Sequence, residues 1–422
     1  MGGEIFCPLC HDAGMTREGP SRFIAMLASA VQRKGWEISF RHPEPFAPVR
    51  YEDEARLKEE SLAAWWAETG LPGRLAPLVR APVPRRYRTT SKRRAVRLGA
   101  GVALSFPGDR PARGRHSSSA LDLPEHDLVY RFLAGYLNAP SQRHLSSALN
   151  HVIVRGGAGR LALILNLKLF NARIVRLARG LAEEVKRGPL GIGAMFLFLD
   201  PSESEYYLEA RRPRGVSFKR MFGPPHLEVE VEGLRLRFPV TVFSQVNTPM
   251  LPVMVRNVRA ACGPLEGRRL LDLFCGYGLF AFTVGARAQE VIGVDASGSA
   301  ILAARANASH LGGKERRRFL AGRIDGEFLT RRLDRAAATE TALLDPPRQG
   351  TEDNVAAALA SRGIRRVVHI CCGIDTLPRE VWRWSDAGYR LEKATPLDLF
   401  AGTAGLEIVL QFRAGPGLQN RP

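Results

Sequence analysis

Residues 268–281 read RRLLDLFCGYGLFA, and the fold class follows from that stretch. Five residues ending at Leu273 are mostly branched apolar, as in a strand covered on both faces. They run into Gly276-x-Gly278, where two glycines let the chain turn tightly. Backbone N–H groups in such a turn can approach a ligand without Cβ interference. A second apolar run, EVIGVDA, closes on Asp295, 19 residues after Gly276. A carboxylate there is placed to accept hydrogen bonds from ribose hydroxyls. With Ala281 in third place, the same spacing also fits a dinucleotide fingerprint, so the turn alone leaves two cofactor classes open.

Working outward, the rhythm after residue 240 is strand–helix alternation. RRRFLAG, TALLDPP, RRVVHICC, YRLEKATPL and GLEIVLQF add five strands, seven in all. Helices are expected around 279–288, 298–311, 351–361 and 376–385. That pattern predicts an α/β fold, a doubly wound, mainly parallel seven-stranded sheet at the C-terminus. Ligands then bind at the carboxyl ends of its strands.

Upstream the period changes to two. HVIVRGGAGRLALILNLKL and HLEVEVEGLRLRFPV read as hairpins, the second turning near Glu232-Gly233. Between them Asn171 to Arg187 is helical, with Ile174, Leu177, Leu181 and Val185 on one face. Glu54 to Thr69 reads as a helix, and 107–126 as a surface loop. The predicted organisation is a small N-terminal unit (1–74), a basic β-rich α+β domain (75–238) and the α/β domain (239–422).

Charge points to a polyanionic partner. Lys and Arg number 61 against 42 Asp and Glu, a net charge of +19. Seven basic residues fall between Arg85 and Arg97, with Tyr87 among them. Arg86, Arg88, Lys92 and Arg93 read as phosphate contacts and Tyr87 as a base-stacking platform, against the alternative of a solvated charged strand. No apolar run spans a bilayer and no secretory pattern opens the chain, so a cytoplasmic protein is expected. Six cysteines do not make a disulfide scaffold. Cys7 and Cys10 form one C-x-x-C without a second pair, so free thiols are preferred to a metal site.

The fourth strand ends in Asp345-Pro346-Pro347-Arg348, a rigid turn beside the nucleotide site. Exocyclic-amine methyltransferases usually place an aromatic after Pro-Pro to stack on the base, and here that residue is Arg348. Methylating carbon 5 of uracil is different chemistry. That carbon is a weak nucleophile until a thiolate adds at carbon 6, and a base must then remove the carbon 5 proton. Cys371-Cys372 at the end of the fifth strand and Glu407 in the last offer both groups.

At this point the chain resembles the RNA uracil-5 methyltransferase family. Phe243-Ser244-Gln245-Val246-Asn247 is similar to its F-x-Q-V-N, LLDLFCGYG to its D-L-F-C-G-x-G, and DPPRQG to its D-P-P-R-x-G. HICCGIDTLPRE is similar to V-S-C-N-P-x-T-L-x-R-D, and DLFAGTAGLE to D-x-F-P-x-T-x-H-x-E. The resemblance implies S-adenosyl-L-methionine as cofactor, held by Gln245, Phe274, Gly276, Gly278, Asp295 and Asp345. It implies Cys372 as nucleophile, Glu407 as proton-abstracting base, and Asp345 orienting donor or base. A tRNA or rRNA substrate, no metal and a monomeric state are expected with it. The departures are Gly373-Ile374 for Asn-Pro, Ala401 for Pro, Gly405 for His and Leu279 for Asn. An RNA N-methyltransferase with structural cysteines, or a catalytically impaired RNA-binding relative, are the alternatives.

Overall fold

The computed structural model describes residues 15–16, 19–99, 101–106, 109–157, 159–201, 203, 218–333 and 339–416. Cys7 and Cys10 lie outside the described residues.

All seven expected strands of the C-terminal sheet form: β1 (Arg269–Leu273), β2 (Glu290–Asp295), β3 (Arg317–Ala321), β4 (Glu340–Leu344), β5 (Arg366–Cys371), β6 (Tyr389–Leu397) and β7 (Glu407–Ala414). Their order is 3-2-1-4-5-7-6. The first five are parallel; β7 runs antiparallel to both β5 and β6. The chain reverses direction of travel between β1 and β4, which opens a crevice at their carboxyl ends. Helices Gly298–Leu311, Val355–Ser361 and Leu377–Asp386 lie where the apolar spacing puts them. Leu271, Ile292, Leu344 and Val367 are fully buried, as strands covered on both faces require.

The N-terminal residues are not a separate unit. Helices Arg22–Arg33 and Tyr51–Thr69 put Phe23, Leu27 and Trp65 into the same core as Ile292, Leu344 and Phe412. Arg74–Leu75 then pairs parallel with β6 as an edge strand. The helix expected from Glu54 begins three residues earlier, at Tyr51. Sequence periodicity reveals an apolar face but not the face it meets, and a pair of helices buries little by itself.

The same reason moves the second boundary. The hairpin His226–Val231/Leu234–Pro239 turns through Glu232 (φ 50°) and Gly233 (φ 78°), as its sequence predicts. Yet it docks on the C-terminal domain. Asn307 receives the Arg237 N–H and donates to the Arg237 carbonyl, both at 3.0 Å, and Phe238 stacks on Tyr277 at 4.7 Å. A lone hairpin is marginal in water, so it takes the core offered next to it.

The central domain is a six-stranded sheet in the order Gly101–Ser105, Thr90–Leu98, Leu149–Gly157, Arg160–Leu167, Ile192–Leu199, Phe218–Phe222. Its one parallel pair, Arg160–Leu167 with Ile192–Leu199, is joined by helix Ala172–Arg187. Asn171 caps that helix by accepting the Ile174 N–H at 2.9 Å. The segment 107–126 is a loop only in part: it ends by burying Leu121 and Asp122, and His126 is buried in the helix that follows. Buried Arg155 bolts this sheet to the linker into the C-terminal domain, donating to the Val242 carbonyl at 2.9 Å and to Ser244 Oγ at 2.8 Å.

Candidate active site

β1 delivers the chain into three left-handed residues, Phe274 (φ 64°), Gly276 (φ 55°) and Gly278 (φ 94°). Gly278 has a second constraint: a Cβ there would lie 2.6 Å from the Phe282 ring. Phe274 carries a Cβ in a region that costs non-glycine residues about 1–2 kcal/mol, a strain that clusters at functional turns. Asp295, closing β2, organises the turn. One carboxylate oxygen accepts the Gly276 N–H at 2.9 Å and the other the Ser297 N–H at 2.7 Å. Each oxygen keeps a lone pair for a ligand hydroxyl.

Three further carboxyl groups gather behind this turn. Asp272 is 1% exposed, and neither oxygen makes a hydrogen bond of regular geometry, although the Ala281 N–H is turned toward it. Burial first, then Asp345 and Asp295, push its carboxyl well above the usual range. Asp345 follows β4 and donates its N–H to the Leu273 carbonyl at 3.2 Å. Burial and the Asp295 charge raise it as well. Glu407 opens β7 and is 1% exposed, with Oε2 unpartnered; burial and then Asp345 raise it. So many buried carboxylates cannot all be ionised at once. The cluster either keeps protons or meets a cation.

Strand register brings the thiol to them. Leu344 of β4 pairs with His369 of β5, and Cys371 of β5 pairs with Ile408 of β7. Antiparallel pairing therefore carries Cys372 opposite Glu407. Burial, Glu407, Cys371 and Asp345 push the Cys372 thiol up, and Arg348 pulls it down. Its neighbour is disposed differently. Cys371 is 3% exposed, donates to the Gly373 carbonyl at 3.2 Å, and is pushed up to about 12 by burial. Of the pair, only Cys372 is partly open to a ligand.

The segment after the thiol has its own supports. Glu380 accepts both the N–H (3.1 Å) and the hydroxyl (2.7 Å) of Thr351, tying helix Leu377–Asp386 to the loop that follows Arg348. Trp384 Nε1 donates to His369 Nδ1 at 3.0 Å beneath them. Gly373 is packed against that loop: a Cβ would sit 2.8 Å from the Arg348 carbonyl oxygen and 3.1 Å from Arg348 Cγ. Arg348 thus fills the room that a side chain at 373 needs. Gly373→Asn is expected to destabilise the fold by about 1–3 kcal/mol through overpacking. Thermal melting checks this; a variant melting with the wild type would refute the packing account.

The sequence profile described as tRNA (Uracil-5-)-methyltransferase matches residues 210–413, just under half of the chain. Residues 210–413 are thus similar to that family. A 23S rRNA (uracil(1939)-C(5))-methyltransferase of Pseudomonas aeruginosa is 36% identical over 181 residues, covering 41% of this chain and 38% of that protein. The protein of the same name from Acidithiobacillus ferrooxidans is 32% identical over 190 residues, covering 45% and 42%. The matched stretch therefore spans about two fifths of these curated relatives. A solved structure, Pyrococcus abyssi tRNA (uracil-54, C5)-methyltransferase in complex with S-adenosyl-L-homocysteine, aligns with a TM-score of 0.63 over 87% of this chain and 85% of that one. At 16% identity that likeness speaks to the fold.

One residue of the F-x-Q-V-N motif has a structural duty that sequence did not show. Asn247 caps the turn at Thr248–Met250 and donates to the Leu399 carbonyl at 2.8 Å, joining the F-x-Q-V-N segment to the loop before Glu407. Gln245, two residues before it, is 8% exposed.

The basic segment needs correction. Tyr87 is 1% exposed and donates to the Ala401 carbonyl at 2.8 Å, so it cannot stack on a base. Arg93 is 2% exposed, pairs with Asp122 at 2.7 Å and lies over the Phe106 ring at 3.8 Å. Arg88 pairs with Glu44 at 3.2 Å. These three are internal supports, because their partners Ala401, Asp122 and Glu44 lie far along the chain. Arg86 is exposed and Lys92 half-buried, with exposed Arg94 and Arg97 farther along the same stretch.

Proposed function

We propose that the chain methylates carbon 5 of a uridine in structured RNA, tRNA or rRNA, through a covalent Cys372 adduct, with S-adenosylmethionine as donor. The observation that carries this reading is the approach of Cys372, just past the Cys371–Ile408 pair that ends β5, to Glu407 at the start of β7, whose charge acts on its thiol. The donor fits the residues present. Buried Asp272 suits a cationic ligand, the left-handed turn at Phe274 to Gly278 is held in shape by Asp295 through the Gly276 N–H, and Asp295 keeps lone pairs for ribose hydroxyls. Gln245 and Asp345 complete the proposed donor contacts. When bound, S-adenosylmethionine supplies an electrophilic methyl group.

The protein's own groups do the rest. A uridine must leave its stack to reach a buried pocket. The Cys372 thiolate adds to carbon 6, and the electron pair of the 5,6 double bond moves toward the ring carbonyl. Carbon 5, now nucleophilic, takes the methyl group. Glu407 then removes the carbon 5 proton, the double bond re-forms, and the carbon 6–sulfur bond breaks to return the thiolate. Arg348 is the positive charge that favours the thiolate against two carboxylates. Exposed Arg86 is the phosphate contact in this reading, with half-buried Lys92 near it in the chain, where sequence-independent attraction is enough. No helix of the described residues is long and apolar enough to cross a membrane, and no group of metal-ligating side chains occurs among them.

RNA carrying 5-fluorouridine tests the reading, because its carbon 5 substituent cannot be abstracted as a proton. With donor present, a protein–RNA adduct stable to denaturing electrophoresis is expected. Ordinary RNA should yield 5-methyluridine on digestion to nucleosides. An N-methylated nucleoside, or no adduct from active protein, would overturn it.

A further inference from the structure

Glu407 is reached through the loop 398–406, and that loop is held almost entirely from outside the family-matched region. Asp398 donates its N–H to the Val79 carbonyl at 2.9 Å. Its carboxylate meets Lys58 Nζ at 2.8 Å. Lys58 is fully buried and also meets Glu54, four residues earlier on helix Tyr51–Thr69, at 2.7 Å. Glu54 in turn pairs with Arg85 at 2.9 Å. Its second oxygen, Oε1, accepts the Gly402 N–H at 2.6 Å. Phe46 donates its N–H to the Gly402 carbonyl at 3.0 Å, and Tyr87 donates to Ala401. Gly402 sits at φ 89°, and a Cβ there would lie 2.4 Å from Leu121.

The four charges alternate along one line, Arg85–Glu54–Lys58–Asp398. Buried ion pairs of this kind add little net stability, because desolvation opposes the attraction; their attested use is to fix one geometry. The loop needs such fixing. Where the family motif has Pro and His, this chain has Ala401 and Gly405, neither of which stiffens a backbone or offers a side-chain contact. Leu399, Ala401 and Leu406 are nevertheless buried, so the loop is seated throughout.

We infer that Glu54 and Lys58 of helix Tyr51–Thr69 are positioning residues for Glu407, locking the 398–406 loop so that its carboxylate stands over carbon 5. This rests on the reaction proposed above. A misplacement of about 1 Å at a reacting group can cost up to ~100-fold in rate. It should fall on the last step alone, since Cys372 and the donor turn belong to other loops.

Two full-length variants test this. Glu54→Ala removes the Gly402 contact and leaves Lys58 paired with Asp398. Lys58→Met/Asp398→Asn removes one charge of each sign and leaves Glu54 with Arg85. Both should lose turnover about tenfold or more. Both should release tritium slowly from RNA labelled at carbon 5, and accumulate the methylated protein–RNA adduct. kcat/KM for RNA and donor should stay within about twofold, KM falling with kcat as the adduct accumulates. Wild-type turnover, or loss of adduct formation in step with turnover, would overturn the inference. Failure of the wild type to form the 5-fluorouridine adduct would instead overturn the underlying reaction. Thermal melting identifies a variant that has not folded, in which case the other decides.

Discussion

Cys372→Ala is expected to abolish methyl transfer, with turnover falling by roughly 10⁴-fold or more, as when the nucleophile of a covalent enzyme is removed. Without addition at carbon 6, carbon 5 stays too weak a nucleophile to take a methyl group. Donor binding should be unchanged, because the turn from Phe274 to Gly278 and Asp295 belong to β1 and β2, two or three strands away from β5. Cys371 cannot take over. Its thiol is buried, bonded to the Gly373 carbonyl and pushed up to about 12. Cys371→Ser should therefore keep most activity, and the contrast between adjacent cysteines is the informative result. Single-turnover methylation and 5-fluorouridine trapping measure it. Residual activity above about a hundredth in Cys372→Ala, or adduct formation by that variant, would remove Cys372 from the nucleophile's place.

The central strands of the C-terminal domain were legible because they bury two faces, and its helices because one apolar face repeats at helical spacing. Gly276, Gly278 and Asp295 were legible because a tight turn and a strand-end carboxylate need those residue types at that spacing. Contacts across long sequence separations were not. Tyr87 sits among arginines, and nothing local to PRRYRTTSKRRAVR says that its hydroxyl meets Ala401, 314 residues on. Lys58 and Glu54 read as ordinary polar positions of a helix, and only the fold shows that both are fully buried. Arg93 and Asp122 likewise become a pair only when strand Thr90–Leu98 meets the end of the 107–126 loop. A charged residue inside a protein carries no sequence mark of its own; its partner is the mark, and the partner is usually distant.

Glu407→Gln joins three outcomes that a purely structural carboxylate would not produce together. Turnover should fall by about 100-fold or more, within the range for removing a positioned general base, while the methylated adduct accumulates. Stability should rise. Burial and Asp345 raise the Glu407 carboxyl in the folded protein, whereas an unfolded glutamate ionises near pH 4.3. The folded state therefore prefers the protonated form. The associated stability is complete below about pH 4 and is lost as pH rises through the folded value. A glutamine never ionises, so the variant should melt a few degrees above the wild type at pH 7–8, with the gap closing near pH 4. Third, Glu407 is the first charge that holds the Cys372 thiol up. Removing it should lower the thiol's pKa and quicken alkylation of Cys372 by iodoacetamide at alkaline pH, where Glu407 is ionised, even as turnover is lost. Calorimetry across pH and timed alkylation read the last two without RNA or donor. If the variant is less stable than the wild type at pH 7–8 and its thiol reacts no faster, the buried carboxylate and the thiol do not share one electrostatic site, and the base assignment fails with it.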